Sequence, residues 1–227
     1  MTERPTHQTQ SITITFPEIR LARRNAHQLR GYFGNLFKEH SELLHNHFAD
    51  GGLRYGYPLV QYKIVGGVPT LLGFEEGGKL LTELFLQIKN LDIEGRSYPV
   101  FAKNIVAKTG TIGLSDQLHF YDFDSLWMAL NQENYERYLN YSEEARRAQL
   151  QSIAVNNIRA LFTALGLNLL REQEIKVALN VEERFTHFKN QKMLAFTGQL
   201  VTNALLPDLA GLGKSVSRGF GVVRVKS

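Results

Sequence analysis

The apolar positions along this chain fall into segments of period two alternating with segments of period near 3.6, and their order sets the first expectations. Ser11–Phe16, SITITF, alternates β-branched or aromatic residues with small polar ones, which predicts a strand with one buried face, ended by Pro17. Between Leu21 and Phe37 the residues Leu21, Leu29, Tyr32, Phe33, Leu36 and Phe37 recur at helical spacing. Gly31 and Gly34 weaken that helix intrinsically and point to close packing or close approach of a ligand. The helical pattern pauses at Glu39–Ser41, resumes through Leu44 and gives way to a turn at Asp50-Gly51-Gly52. Tyr57–Val65 and Val68–Phe74 read as strands joined by a two-residue Gly66-Gly67 turn. Lys79–Leu91 then reads as an amphipathic helix, and Tyr98–Lys108 as another strand.

The second half repeats this order. His119–Leu126 reads as a strand, and Gln132–Leu165 as a long helical region with a restart at Ser142. Ile175–Lys189 and Met193–Asn203 form a hairpin around Asn190-Gln191. Leu205–Leu209 stands where a second helix would fall, and Phe220–Val225 closes the chain as a strand. Residues 1–10 read as a frayed tail. Two successive β-α-β-β-α-β runs predict an α+β protein of two tandem ferredoxin-like, RNA-recognition-type domains, 11–112 and 113–227, with the boundary within Thr109–Leu118.

Composition narrows the class. With 227 residues, 43% hydrophobic and 21% charged, the chain suits one large globular domain or two small ones. The absence of cysteine excludes disulfides, thiolate metal sites and cysteine nucleophiles. The polar start MTERPTHQTQ lacks an apolar signal core, and no run of about eighteen apolar residues occurs, so a cytoplasmic protein without membrane contact is expected. The formal net charge is +4, but its distribution says more. Arg20, Arg23, Arg24 and Arg30 cluster near one end and Lys214, Arg218, Arg224 and Lys226 near the other, with glutamates between.

The densest chemistry lies in Gly211–Val223, GLGKSVSRGFGVV. Gly211, Gly213, Gly219 and Gly221 bracket Lys214, Ser215, Ser217 and Arg218, and no acidic residue follows Asp208. Clustered glycines mark a loop shaped for close contact, while the cations, hydroxyls and backbone amides supply donors for phosphate oxygens. A nucleotide-binding P-loop does not fit, because the glycine required five residues before Gly213 is Asp208 and a strand follows instead of a helix.

This stretch, together with LRGYFGNLF at Leu29–Phe37, LLHNH at Leu43–His47, RYGYPLVQYK at Arg54–Lys63 and NQENY at Asn131–Tyr135, resembles the CRISPR repeat-processing endoribonucleases, the sixth Cas family of the repeat-associated mysterious protein superfamily. The resemblance implies two ferredoxin-like domains and cleavage of repeat RNA in precursor transcripts without a metal or other cofactor, leaving a 2′,3′-cyclic phosphate and a 5′-hydroxyl. It implies a catalytic role for His45, with His47 beside it, and RNA contact by the glycine-rich stretch. The implied partners are precursor and processed guide RNA, with a homodimer and other CRISPR effector subunits as further candidates. Histidine, with an unperturbed pKa of about 6.5, serves as general acid or base near neutrality. Tyr55 is placed to assist, and Lys63, Lys214 or Arg218 to offset developing charge.

Other readings stay open at this level. Arg23 and Arg30 align on a helix and are candidate phosphate binders, whereas Arg24 is offset by about 100°. Tyr32 and Phe33 read as core, as does the Leu80–Ile88 stripe, and Tyr135, Tyr138 and Tyr141 as helix packing. His45, His47 and Asp50 have the donor types of a metal site, but nothing elsewhere completes the sphere. A non-cleaving RNA-binding subunit of an effector would share the fold and the glycine-rich loop without needing either histidine.

Overall fold

The computed structural model describes residues 4–37, 56–188 and 191–226. The expected continuation of the first helix through Leu44, the Asp50-Gly51-Gly52 turn and Asn190 of the Asn190-Gln191 turn lie outside them, while Gln191 is the first residue of a strand. The chain divides into an N-terminal unit, Gln8–Gly110 with Val216–Gly219, and a C-terminal unit, chiefly Thr111–Ser215 with residues 4–7 and 220–226.

The N-terminal unit is built on β1 (Thr6–Thr15), α1 (Ala26–Leu36), β2 (Val60–Val65), β3 (Val68–Phe74), α2 (Glu76–Leu84) and the start of β6 (Asn104–Phe123). The sheet order β2-β3-β1-β6 is the ferredoxin-like arrangement. β2 and β3 are antiparallel around the Gly66-Gly67 turn, with Val65 opposite Val68. β3 in turn pairs β1, Ile14 opposite Leu71. One face is covered by α1 and α2, burying Ile14, Phe16, Leu29, Phe33, Tyr62, Leu71, Leu81 and Leu84 in a single core. Phe33 stacks on Tyr62 with ring centroids 5.8 Å apart.

The C-terminal unit carries the rest of β6, α3 (Gln132–Asn140), α4 (Glu143–Ala164), β7 (Val177–Phe188), β8 (Gln191–Leu205) and β9 (Val223–Val225). β8 lies between β6 and β7, and β9 pairs the other side of β6, so the second unit has the same strand order as the first. The helix restart falls at Ser142, whose hydroxyl accepts from the Ala145 amide at 3.3 Å. α4 buries Leu150, Ala154, Ile158, Leu161 and Phe162, a period-3.6 stripe. Trp127 is fully buried, stacked on Phe123 at 5.3 Å, and Phe196 packs against it.

Several expectations shift. β1 begins at Thr6, so its first residues are strand and not a frayed tail. Tyr98–Lys108 and His119–Leu126 are not separate strands. A hairpin of β4 (Asn90–Ile93) and β5 (Arg96–Pro99) turns at Glu94-Gly95, both at positive φ, and β6 then runs unbroken for 20 residues. The Thr109–Leu118 stretch expected to hold the domain boundary is part of this strand, whose pairing with β8 shifts register between Leu114 and His119. α2 starts three residues earlier than its apolar stripe, at Glu76. Gly77 and Gly78 are helical there because the helix start presses on β-strand backbone, a Cβ on Gly77 falling 2.5 Å from the Leu59 carbonyl oxygen. Leu205–Leu209 forms no helix, and the connection to β9 is turns and bridges, Gly211 bridging Val222. No helix among the described residues is long and apolar enough to cross a membrane.

Candidate nucleic-acid interface

Within the N-terminal unit, α1 is entered through a one-turn 3-10 helix, Arg23–Asn25, whose buried Asn25 accepts from the Ala22 amide at 2.9 Å and donates to Gln28. Arg23 is exposed on this turn and Arg30 is half-buried on α1. The segment Val216–Gly219 packs on α1 and β2 as a second short 3-10 turn, with Val216 buried and the Gly219 amide donating to the Val216 carbonyl at 3.1 Å. Gly219 sits at φ +84, and a Cβ there would lie 2.7 Å from the Ala26 Cβ and 3.0 Å from the Tyr62 carbonyl oxygen. Only glycine lets this turn lie so close to the helix and strand.

That packing brings Arg218 to Arg30 from 188 positions along the chain. Burial, and then the positive charge of Arg30, lower the pKa of Arg218. Both stay protonated at any physiological pH, so two cations share one place. Tyr62, whose backbone the Gly219 turn packs against, is buried; its hydroxyl has no hydrogen-bond partner among the described residues, and burial pushes its pKa up against the opposing pull of Arg30. Tyr62 went unremarked in the sequence, although its place as an inward residue of a β-strand marks it as core.

Lys63, the next residue on β2, is fully buried with Gln61. Its ammonium donates to Gln61 Oε1 at 2.7 Å, and Gln61 Nε2 donates to the Tyr57 hydroxyl at 2.8 Å and the Pro58 carbonyl at 3.1 Å.

The other residues of the glycine-rich stretch belong to the C-terminal unit. The Leu212 amide donates to the Gly221 carbonyl at 2.8 Å, the Gly221 amide to Leu126 at 2.8 Å and the Lys214 amide to Met128 at 2.9 Å. The Val222 amide donates to the Ser125 hydroxyl at 2.9 Å. Gly221, at φ +65, lies so near Leu212 that a Cβ would be 1.9 Å from its carbonyl oxygen. The amides of Lys214 and Gly221, among the backbone donors expected for phosphate oxygens, are therefore spent holding the loop. Lys214 is exposed and Ser215 half-exposed at φ +56.

The structure thus groups Arg30, Arg218 and Gly219 in one unit and Gly211, Gly213, Lys214, Ser215 and Gly221 in the other, while Ser217 is half-exposed on the 3-10 turn. His45 and His47, the candidate catalytic pair, lie outside the described residues, as do Tyr55 and the metal alternative with Asp50. Gly31 on α1 is exposed with nothing within 4 Å of an added Cβ, so close protein packing does not account for it.

Comparison with known proteins identifies the scaffold. Residues 7–111 match the family model for the Cas6b N-terminal domain, and residues 113–226 match that for the Cas6b C-terminal domain. A crystal structure of Cas6b is 32% identical, covering 97% of this chain and 100% of that one with a TM-score of 0.91. A crystal structure of the CRISPR RNA processing endoribonuclease Cas6b is 29% identical over the same shares, with a TM-score of 0.79. An uncharacterised protein of Methanocaldococcus jannaschii is 32% identical over 146 residues, 63% of this chain and 98% of that protein.

Proposed function

The chain belongs to the Cas6b family, and from that premise we propose that it is an endoribonuclease that cuts CRISPR repeat RNA in precursor transcripts to release guide RNAs. The proposed reaction is a metal-independent transesterification. A base takes the proton of the 2′-hydroxyl beside the scissile phosphate, and the 2′-oxygen attacks phosphorus. The bond from phosphorus to the 5′-oxygen breaks, and an acid protonates that oxygen, leaving a 2′,3′-cyclic phosphate and a 5′-hydroxyl. In this reading His45 and His47 make the two proton transfers. Arg23, Arg30, Lys214 and Arg218 hold phosphates of the RNA, with the serines Ser215 and Ser217 as hydroxyl donors.

One observation carries the RNA-binding part. Arg30 and Arg218 come from opposite ends of the chain and are packed close enough for one charge to perturb the other. A phosphate shared between two guanidinium forks gains charge-assisted hydrogen bonds. The likeness to a CRISPR RNA processing endoribonuclease over 97% of the chain supports reading that phosphate as part of repeat RNA.

The test is incubation with the cognate repeat RNA in excess chelator, with identification of the product ends. Cyclic phosphate and 5′-hydroxyl ends, lost in His45→Ala and His47→Ala, are the expected result. Binding without cleavage by the parent protein would instead mark a non-cleaving RNA-binding subunit. Cleavage that stops in chelator would overturn metal independence alone.

A further inference from the structure

We propose that the N-terminal unit carries a second RNA contact, a stacking platform for unpaired bases centred on Phe101, with exposed basic residues around it for the backbone. The idea rests on the chain being an RNA-binding protein and adds a site outside the Arg30–Arg218 cluster and the glycine-rich stretch.

Phe101 is 86% exposed, and Leu86, on the 3-10 turn Phe85–Gln87 that follows α2, is 73% exposed. This exposure is built in, because the loop is pinned on both sides of the ring. The Val100 amide donates to the Lys89 carbonyl at 2.8 Å, and the Val100 side chain packs on the core. Two residues beyond Phe101, the Lys103 ammonium donates to the carbonyls of Phe85 at 2.5 Å and Ile88 at 2.8 Å and lies 4.8 Å over the Phe85 ring. Between these anchors the Phe101 ring is held in water, next in the chain to Val100, whose amide is bonded to the Lys89 carbonyl. An aromatic side chain fixed outward forgoes burial worth several times thermal energy, yet its face is already set for a planar partner.

The surroundings select the partner. Residues 95–115 contain Arg96, Lys103 and Lys108 and no aspartate or glutamate. β6 is exposed at every residue from 104 to 110, including Ile105 and Val106. The Lys89 charge also acts on Lys103, lowering its pKa after the larger effect of burial. Lys103 is committed to carbonyls, so the cations for phosphate are the exposed Lys89, Arg96 and Lys108. Protein–protein interface cores are depleted in lysine. An exposed aromatic amid lysines, by contrast, is the composition of a groove for single-stranded nucleic acid, where stacking is tolerant of sequence. Single-stranded RNA is therefore the occupant, and a protein subunit on the Leu86–Phe101 surface is the rival outcome.

The experiment measures affinity by fluorescence anisotropy for an unstructured oligouridylate, for the minimal repeat, and for the repeat extended by unpaired nucleotides. The proteins are the parent, Phe101→Ala and Phe101→Trp. Phe101→Ala weakens oligouridylate and extended-repeat binding about tenfold, the loss of one base stack, and Phe101→Trp restores it. Cleavage rate at saturating repeat stays unchanged. Equal affinities of Phe101→Ala and the parent for every RNA would overturn the proposal in favour of the protein-docking rival. A parent that neither binds nor cuts repeat RNA would instead overturn the function on which the proposal rests.

Discussion

Neutralising Arg218 separates a residue that grips RNA from one that holds the fold. In Arg218→Gln the polar stem remains and the guanidinium goes. The turn that presents it is held by Val216, which is buried, and by the Gly219 fit against Ala26 and Tyr62, neither of which the substitution touches. Arg30 acts on Arg218 with a like charge. Removing one of two like charges leaves stability unchanged or raises it by a few tenths of a kcal/mol. RNA affinity moves the other way. One phosphate contact to a single strand contributes about 0.7 to the slope of log K against log salt, so its loss weakens binding about fivefold at 0.1 M salt relative to 1 M. Thermal unfolding of the free protein and RNA titrations across a salt series read the two effects together. An unchanged salt slope, or a stability loss of about 2 kcal/mol or more, would refute the reasoning by showing that Arg218 serves the fold. Arg30→Gln is expected to behave alike, and the double variant to lose less affinity than the sum of the singles if both share one phosphate.

Three further outcomes follow from the same geometry. Gly219→Ala combines positive φ with a 2.7 Å clash against Ala26, so destabilisation of about 2–4 kcal/mol is expected in chemical denaturation, and loss below about 1 kcal/mol would mean the turn sits elsewhere. Gly31→Ala meets open space on α1 and should stabilise by about 1 kcal/mol; if it also weakens RNA binding, RNA backbone approaches the helix there. The pKa of Tyr62 is raised above its unfolded value near 10. Its contribution to stability is therefore complete below that pH and declines as pH rises further, by up to about 1.4 kcal/mol per pH unit. Tyr62→Phe should flatten that alkaline decline in urea titrations, and an identical decline in both proteins would show that Tyr62 ionises normally in the fold.

The order of elements was legible because it is written in local periodicity. β2 and β3, α1 and the Ser142 restart of α4 follow from largely apolar runs about a Gly-Gly turn, a helical stripe and a capping hydroxyl, each decided within a few residues. The two-domain ferredoxin-like class and the family followed from that order and from the glycine-rich ending. Where neighbours decide, the sequence was silent. α2 reads as starting only at Lys79 because nothing local shows that the Leu59 carbonyl leaves room only for glycine at Gly77. β6 read as two strands because its middle carries turn-like residues, and the pairing partners that keep it extended lie about 85 residues further along, in β8. The composition of the glycine-rich stretch makes it a candidate site. Its amides, however, are bonded to Leu126 and Met128, and which donors a loop spends on itself depends on backbone brought in by folding. Likewise the sequence supplied Arg30 and Arg218 as separate basic residues. Their meeting needed Val216–Gly219 to dock on the N-terminal unit, a consequence of tertiary packing that no local pattern encodes.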